Sequence, residues 1–159
     1  MRLSRKVLYF ISSKGELEKS ILVPSIPDNF LTRGKFCDWQ TQRIRLYESP
    51  SDGLSAGWIG ENLTGGEFYV YRAKNIRSES LLKPTVSEVP YALLVPEWWY
   101  LGNLYLENLG KIKVTGEGEK RLYHYGKRST KAWIRTWKWQ EILKPWEKSK
   151  LLLSTEKLK

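Results

Sequence analysis

Apolar and polar positions alternate along much of this chain in short runs broken by Gly, Pro and Ser, a pattern that predicts strands more than long helices. Leu8 to Ser12 is rich in strand formers and stops at Ser13 to Gly15, giving a first strand before the polar connection "ELEKSILV". The stretch "VPSIPDNFLTRGKFCDWQTQ" follows, with two prolines and a Pro-Asp-Asn turn signal, and reads as an extended, irregular loop. In Arg43 to Tyr47, Ile44 and Leu46 fall on one face and Arg43, Arg45 and Tyr47 on the other, which predicts a half-buried strand. Ser49 is then placed as an N-cap, with Pro50 at the first helical position and Asp52 at N3, so a helix over about Pro50 to Ile59 is expected. Gly53 and Gly57 inside it each cost about 1 kcal/mol relative to Ala, and so point to close backbone packing or ligand access.

Beyond a Gly65-Gly66 turn, "EFYVYRAK" predicts a strand with Phe68, Val70 and Arg72 on one face and Tyr69 and Tyr71 on the other. "LGKIKVTG" at 109 to 116 is a second such strand, and "RLYHYG" at 121 to 126 is expected to pair with it across a "GEGEK" turn. The intervening "KPTVSEVPYALLVPEWWYLGNLYLENLG" reads as a loop followed by one or two buried strands. From Ser129 the pattern fits both periods until Pro145: Trp133 and Trp137 have helical spacing, while Trp133, Arg135, Trp137 and Trp139 alternate. A strand followed by a helical tail is the expectation here. Together these elements predict an α+β fold, mostly antiparallel, with twisted small sheets and one or two short helices.

At 159 residues the chain fits one domain, 1–159, divided into a body over 1–120 and a C-terminal element over 121–159. Eight Trp, nine Tyr and four Phe supply enough buriable area to argue against wholesale disorder. One Cys, Cys37, forms no internal disulfide, which fits a reducing compartment. One His and one Cys also make no His/Cys zinc site, and no metal is expected. His124, at a strand end, reads as structural, and neither a P-loop nor a dinucleotide fingerprint is present. Apolar runs are too short for a signal core or a membrane span, so a soluble, cytoplasmic protein is expected.

Charge adds a location. Residues 1 to 110 hold 13 Lys and Arg against 12 Asp and Glu, whereas residues 111 to 159 hold 14 against 5. A balanced body with a basic end suggests a local contact with an anionic partner. Lys127, Arg128, Lys131, Arg135 and Lys138 are interleaved with Trp133, Trp137 and Trp139, the residue types that contact phosphates and stack on unpaired bases. The competing reading makes the Trp residues core and the cations a solvated face.

In their order, the elements resemble the ADP-ribosyltransferase superfamily, particularly its small rifampin ADP-ribosyltransferase and RNA 2'-phosphotransferase branches. "VLYFIS" puts Tyr9 and Phe10 where those proteins carry a Tyr-His motif. "RIRLYESPSDGLSAGWIG", "EFYVYRAK" and "LGKIKV" are similar to the strand-helix unit and strands that follow there, over roughly residues 5 to 116. "IPDNFLT", "EFYVY" and "GKIKV" also resemble small uncharacterised proteins of bacteria and their prophages. The superfamily likeness implies a nicotinamide cleft lined by Tyr9, Ser49 and Glu97, with Glu97 steadying an oxocarbenium-like transition state and NAD as cofactor. The chain departs from the family where Phe10 replaces the cofactor-contacting His, and Arg45 or Tyr47 would have to replace the stacking Tyr.

Three functions are therefore expected. The leading one is a binding protein of phage or mobile-element type, without a cofactor, that contacts nucleic acid or a nucleoprotein machine through the face containing Lys127, Arg128, Lys131, Arg135, Trp137 and Lys138, as an inhibitor of host defence. The alternatives are an NAD-dependent ADP-ribosyltransferase acting on protein or nucleic acid, and a protein-only inhibitor with an acidic partner.

Overall fold

The computed structural model describes residues 2–13, 17, 21–25, 42–59, 61–85, 89, 91–92, 94–125 and 130–142. Among these, the strands are β1 (Tyr9–Ser12), β2 (Ile21–Leu22), β3 (Ile44–Tyr47), β4 (Glu67–Lys74), β5 (Leu81–Leu82), β6 (Glu97–Tyr100), β7 (Leu104–Tyr125) and β8 (Thr130–Glu141). One α-helix, α1 (Pro50–Gly57), lies between β3 and β4, and a 3-10 turn covers Ser78–Ser80. The strands form one open antiparallel sheet in the order β2-β7-β4-β1-β3-β6-β5, with β8 paired to β7. The protein is thus α+β with little helix, and a single sheet stands where small separate sheets were expected. No helix among the described residues is long and apolar enough to cross a membrane.

Local chemistry explains α1. Ser49 has extended dihedrals, its Oγ accepts from the Asp52 N–H at 3.1 Å, and its hydroxyl donates to Asp52 Oδ2 at 2.8 Å. The helix ends two residues before the expected Ile59, with Trp58 as its C-cap. Ser49→Ala is expected to cost about 1 kcal/mol, the usual value of such a cap, read as a lower urea midpoint with an unchanged slope.

Both faces of the sheet are buried. Tyr9, Ile11, Phe68 and Val70 pack beneath Leu54 of α1, while Leu8, Ile44, Leu46, Tyr71 and Tyr100 form a second cluster on the opposite face. The half-buried expectation for Arg43 to Tyr47 is corrected accordingly: Arg43 and Tyr47 are each only 3% exposed. The arginine face is covered because its charges have partners there. The Arg43 guanidinium lies 3.9 Å over the Trp99 ring, and Arg45 pairs with Glu97.

The largest departure is β7, which runs unbroken through the "GEGEK" segment expected to be a turn. A straight strand of 22 residues would extend about 70 Å, more than twice the ~30 Å across a small domain. Three register shifts each leave extra residues on β7, near Leu109, Thr115 and Gly118. Such bulges bend a strand and increase its twist. The Gly and Glu residues that look like a turn are absorbed there, and the actual β7–β8 connection is residues 126–129, outside the described residues. Beyond it, Thr130–Glu141 adopts the strand alternative; the helical tail expected after that strand falls among residues outside the described ones.

Candidate functional site

Two arrangements merit a functional reading. The first lies where the β7–β8 hairpin meets α1. Ile134 and Trp137 anchor the hairpin, 1% and 5% exposed, the former against the cluster around Trp99 and the latter beneath Leu54. Strand alternation places Lys131, Trp133, Arg135 and Trp137 along one face of β8. Lys131 and Trp133 are exposed, Trp133 at 58%, and Arg135 is held by Glu117 at 3.0 Å. Lys120 is the cross-strand partner of Arg135. Between this face and the end of α1 is a cleft of ≈ 200 Å³, whose lining includes Trp58, Glu61, Lys120, Trp133, Arg135 and Trp137.

Of the residues singled out for nucleic acid, Lys131, Arg135 and Trp137 share one face of β8; Arg135 and Trp137 line the cleft, and Trp137 is a core residue, as the competing reading expects. Lys138 is exposed but alternates onto the other face with Ile134 and Thr136. Lys127 and Arg128 lie outside the described residues. Lys120 was missed because its segment has turn composition, and Trp58 because nothing local signals that α1 lies against β8.

The second arrangement is a buried carboxylate. Glu97 is 0% exposed, and its Oε1 accepts from Arg45 Nε at 3.2 Å and Nη2 at 3.0 Å, from the Tyr47 hydroxyl at 2.8 Å and from the Tyr91 hydroxyl at 3.1 Å. Its Oε2 accepts from Trp99 Nε1 at 2.8 Å. Arg45 Nη2 donates further to the Ala56 carbonyl at 3.0 Å and to the Tyr91 oxygen at 2.6 Å. Burial alone would raise the Glu97 pKa, but the Arg45 charge and the donors on Trp99 and Tyr47 outweigh it and hold the carboxyl below its usual range. Burial works against the Arg45 cation too, and Glu97 more than compensates. Desolvation pushes the Tyr47 phenol well up, so it stays a neutral donor. Both members of the ion pair are thus charged at neutral pH.

The candidate transferase residues occupy this same region. Tyr9 pairs with Tyr47 across β1 and β3, and Tyr47 pairs with Glu97 across β3 and β6, so the three form one row across the sheet. Ser49 caps the helix that follows β3. Tyr9 is 1% exposed and Glu97 0%, and both oxygens of Glu97 are engaged by protein donors. Phe10 alternates to the opposite face, its ring 6.4 Å from that of Tyr71. Among the described residues, no group of three or more His, Cys, Asp and Glu side chains is placed to hold a metal ion. Against family models, curated proteins and solved structures, the chain gives no match.

Proposed function

We propose that the protein binds nucleic acid, free or within a nucleoprotein, through the face of the β7–β8 hairpin that carries Lys120, Lys131, Trp133 and Arg135. The observation that carries this reading is the exposed Trp133 flanked at alternate positions by Lys131 and Arg135, with Lys120 directly across the ladder. Cations on such a face neutralise phosphates, and an exposed indole stacks on bases. The Arg135–Glu117 pair is about 40% exposed on both sides, so it is worth no more than about 1 kcal/mol and is easily exchanged for a phosphate. Inhibition of a host-defence machine, for a phage-borne protein, would use the same face.

The test is a titration with labelled RNA and DNA at two salt concentrations, using the wild type and a variant with Lys120, Lys131 and Arg135 changed to Ala. The expected result is salt-dependent binding whose logarithmic slope falls by about 0.7–0.9 for each phosphate contact removed. Equal affinity and equal slope in the two proteins would refute the proposal. Capture of a protein that survives nuclease treatment would instead favour an acidic protein partner.

The transferase reading has the Tyr9–Tyr47–Glu97 row in its favour and the burial of that row against it. NAD as a parallel ligand in the same titration decides it: saturable binding lost in a Glu97 variant that remains folded would revive it, and no binding would end it.

A further inference from the structure

We infer that the cleft between α1 and the hairpin is a subsite for one unpaired base, making the protein a reader of single strands rather than duplexes. This rests on the nucleic-acid reading above. The walls are aromatic and differ in rigidity. Trp137 is 5% exposed and fixed in the core, Trp58 lies tilted against Phe68 with ring centroids 4.9 Å apart, and Trp133 is 58% exposed at the mouth. Trp133 thus has free indole surface while its neighbours provide a fixed floor.

The rim gives the cleft its chemistry. Lys120 and Arg135 lie opposite each other on the two hairpin strands and both line the cleft. Glu61, exposed at the α1 side, provides an acceptor for ring or exocyclic N–H groups. A volume of ≈ 200 Å³ is below the range of about 300–1,000 Å³ typical for drug-sized ligands, yet it offers room for one flat ring. Flat aromatic walls beneath two cations suit a base with its attached phosphate. A base in a duplex has both faces stacked and cannot enter without the cost of being extruded, which is why a single strand is the occupant. The surplus of 14 basic over 5 acidic residues in the last third complements the rest of such a strand.

The experiment compares wild type, Trp133→Ala and Trp133→Phe on short labelled single-stranded DNA and RNA, on the same strands with one abasic position, and on matched duplexes. Because Trp133 is largely exposed, its removal leaves the core intact. The expected result is tighter single-strand than duplex binding by wild type, and a loss of roughly 5- to 140-fold on single strands in Trp133→Ala, the equivalent of one stacked base. Duplex affinity and the salt slope should be unchanged, Trp133→Phe should retain most of the binding, and Trp133→Ala should be indifferent to the abasic position. Equal single-strand affinity in wild type and Trp133→Ala, with salt-dependent binding retained, would overturn the base subsite and leave the hairpin reading standing. A loss shared equally by duplex and single strand would overturn it as well. If wild type binds none of the nucleic acids at low salt, both readings fall.

Discussion

Glu97→Ala is expected to destabilise the protein by about 3–5 kcal/mol, the cost of leaving one member of a buried ion pair uncompensated. Such a loss is a large fraction of the roughly 5–15 kcal/mol by which domains are stable, so the variant should be partly unfolded or have a sharply lower urea midpoint. The deletion strands more than one group. Arg45 keeps Ala56 O and the Tyr91 oxygen as acceptors but loses its counter-charge, and Trp99 Nε1 and the Tyr47 hydroxyl lose their acceptor. Glu97→Gln should cost less, because an amide oxygen still faces one set of donors. It cannot cost nothing, since Gln must turn its NH2 toward either Trp99 Nε1 or the Arg45–Tyr47 side, setting donor against donor.

The pH dependence has a definite sign. The folded pKa of Glu97 is lowered from an unfolded value of about 4.3, so its stabilising contribution is complete above that pH and is lost as pH falls through the folded pKa. Wild type should therefore lose stability in acid more steeply than Glu97→Gln, and the two urea curves should draw together as pH falls through the lowered folded pKa of Glu97. Parallel acid profiles for wild type and Glu97→Gln, or a cost below about 1 kcal/mol for Glu97→Ala, would mean that the cluster does not hold the β3–β6 seam together.

What was legible in the sequence follows from the range of each interaction. Ser49 and Asp52 are three residues apart, and their cap forms as the local pattern predicts. β4 is equally local, since strict alternation follows a Gly-Gly turn in which Gly65 takes a positive φ of 84°. Arg43 and Arg45 mark an exposed face only if nothing covers them. Their covering groups are remote in sequence, with Glu97 52 positions from Arg45, and no local pattern reports that pairing. β7 fails for a different reason: Gly116, Glu117, Gly118 and Glu119 have the composition of a turn, but β8 supplies enough ladder and side-chain partners to hold them as a bulged strand. Thr136 Oγ1 donates to the Glu119 carbonyl at 2.7 Å, and Glu117 pairs with Arg135. The same misreading hid Lys120. The charge split locates the excess cations in the last third of the chain, but only the strand conformation of β8 separates Lys138 from Lys131 and Arg135.

Gly53→Ala and Gly57→Ala should change stability in opposite directions, although both exchange glycine for alanine in the same eight-residue helix. Propensity alone favours Ala by about 1 kcal/mol in a helix interior. At Gly57, the last helical residue, a Cβ would meet no atom of another element within 4 Å, so Gly57→Ala is expected to gain a fraction of that amount. At Gly53 a Cβ would sit 2.6 Å from Ile11 Cγ1 and 3.0 Å from Tyr47 Cδ2. Ile11 is a buried core residue of β1, and the Tyr47 ring is tethered through its hydroxyl to Glu97, so neither can swing aside without disturbing the sheet. Overpacking of this kind costs about 1–3 kcal/mol, enough to exceed the propensity gain. Thermal unfolding provides the check, with about 2–4 °C expected per kcal/mol for a chain of this size. A lower Tm for Gly53→Ala beside a higher one for Gly57→Ala would establish that the small residue at 53 sets the approach of α1 to the Tyr47–Glu97 row. Equal shifts would mean that α1 can ride up from the sheet. In that case the β8 wall, which packs on the same helix, would lose its fixed distance from Trp58, so the stability of these two alanine variants also tests the rigidity that the cleft requires.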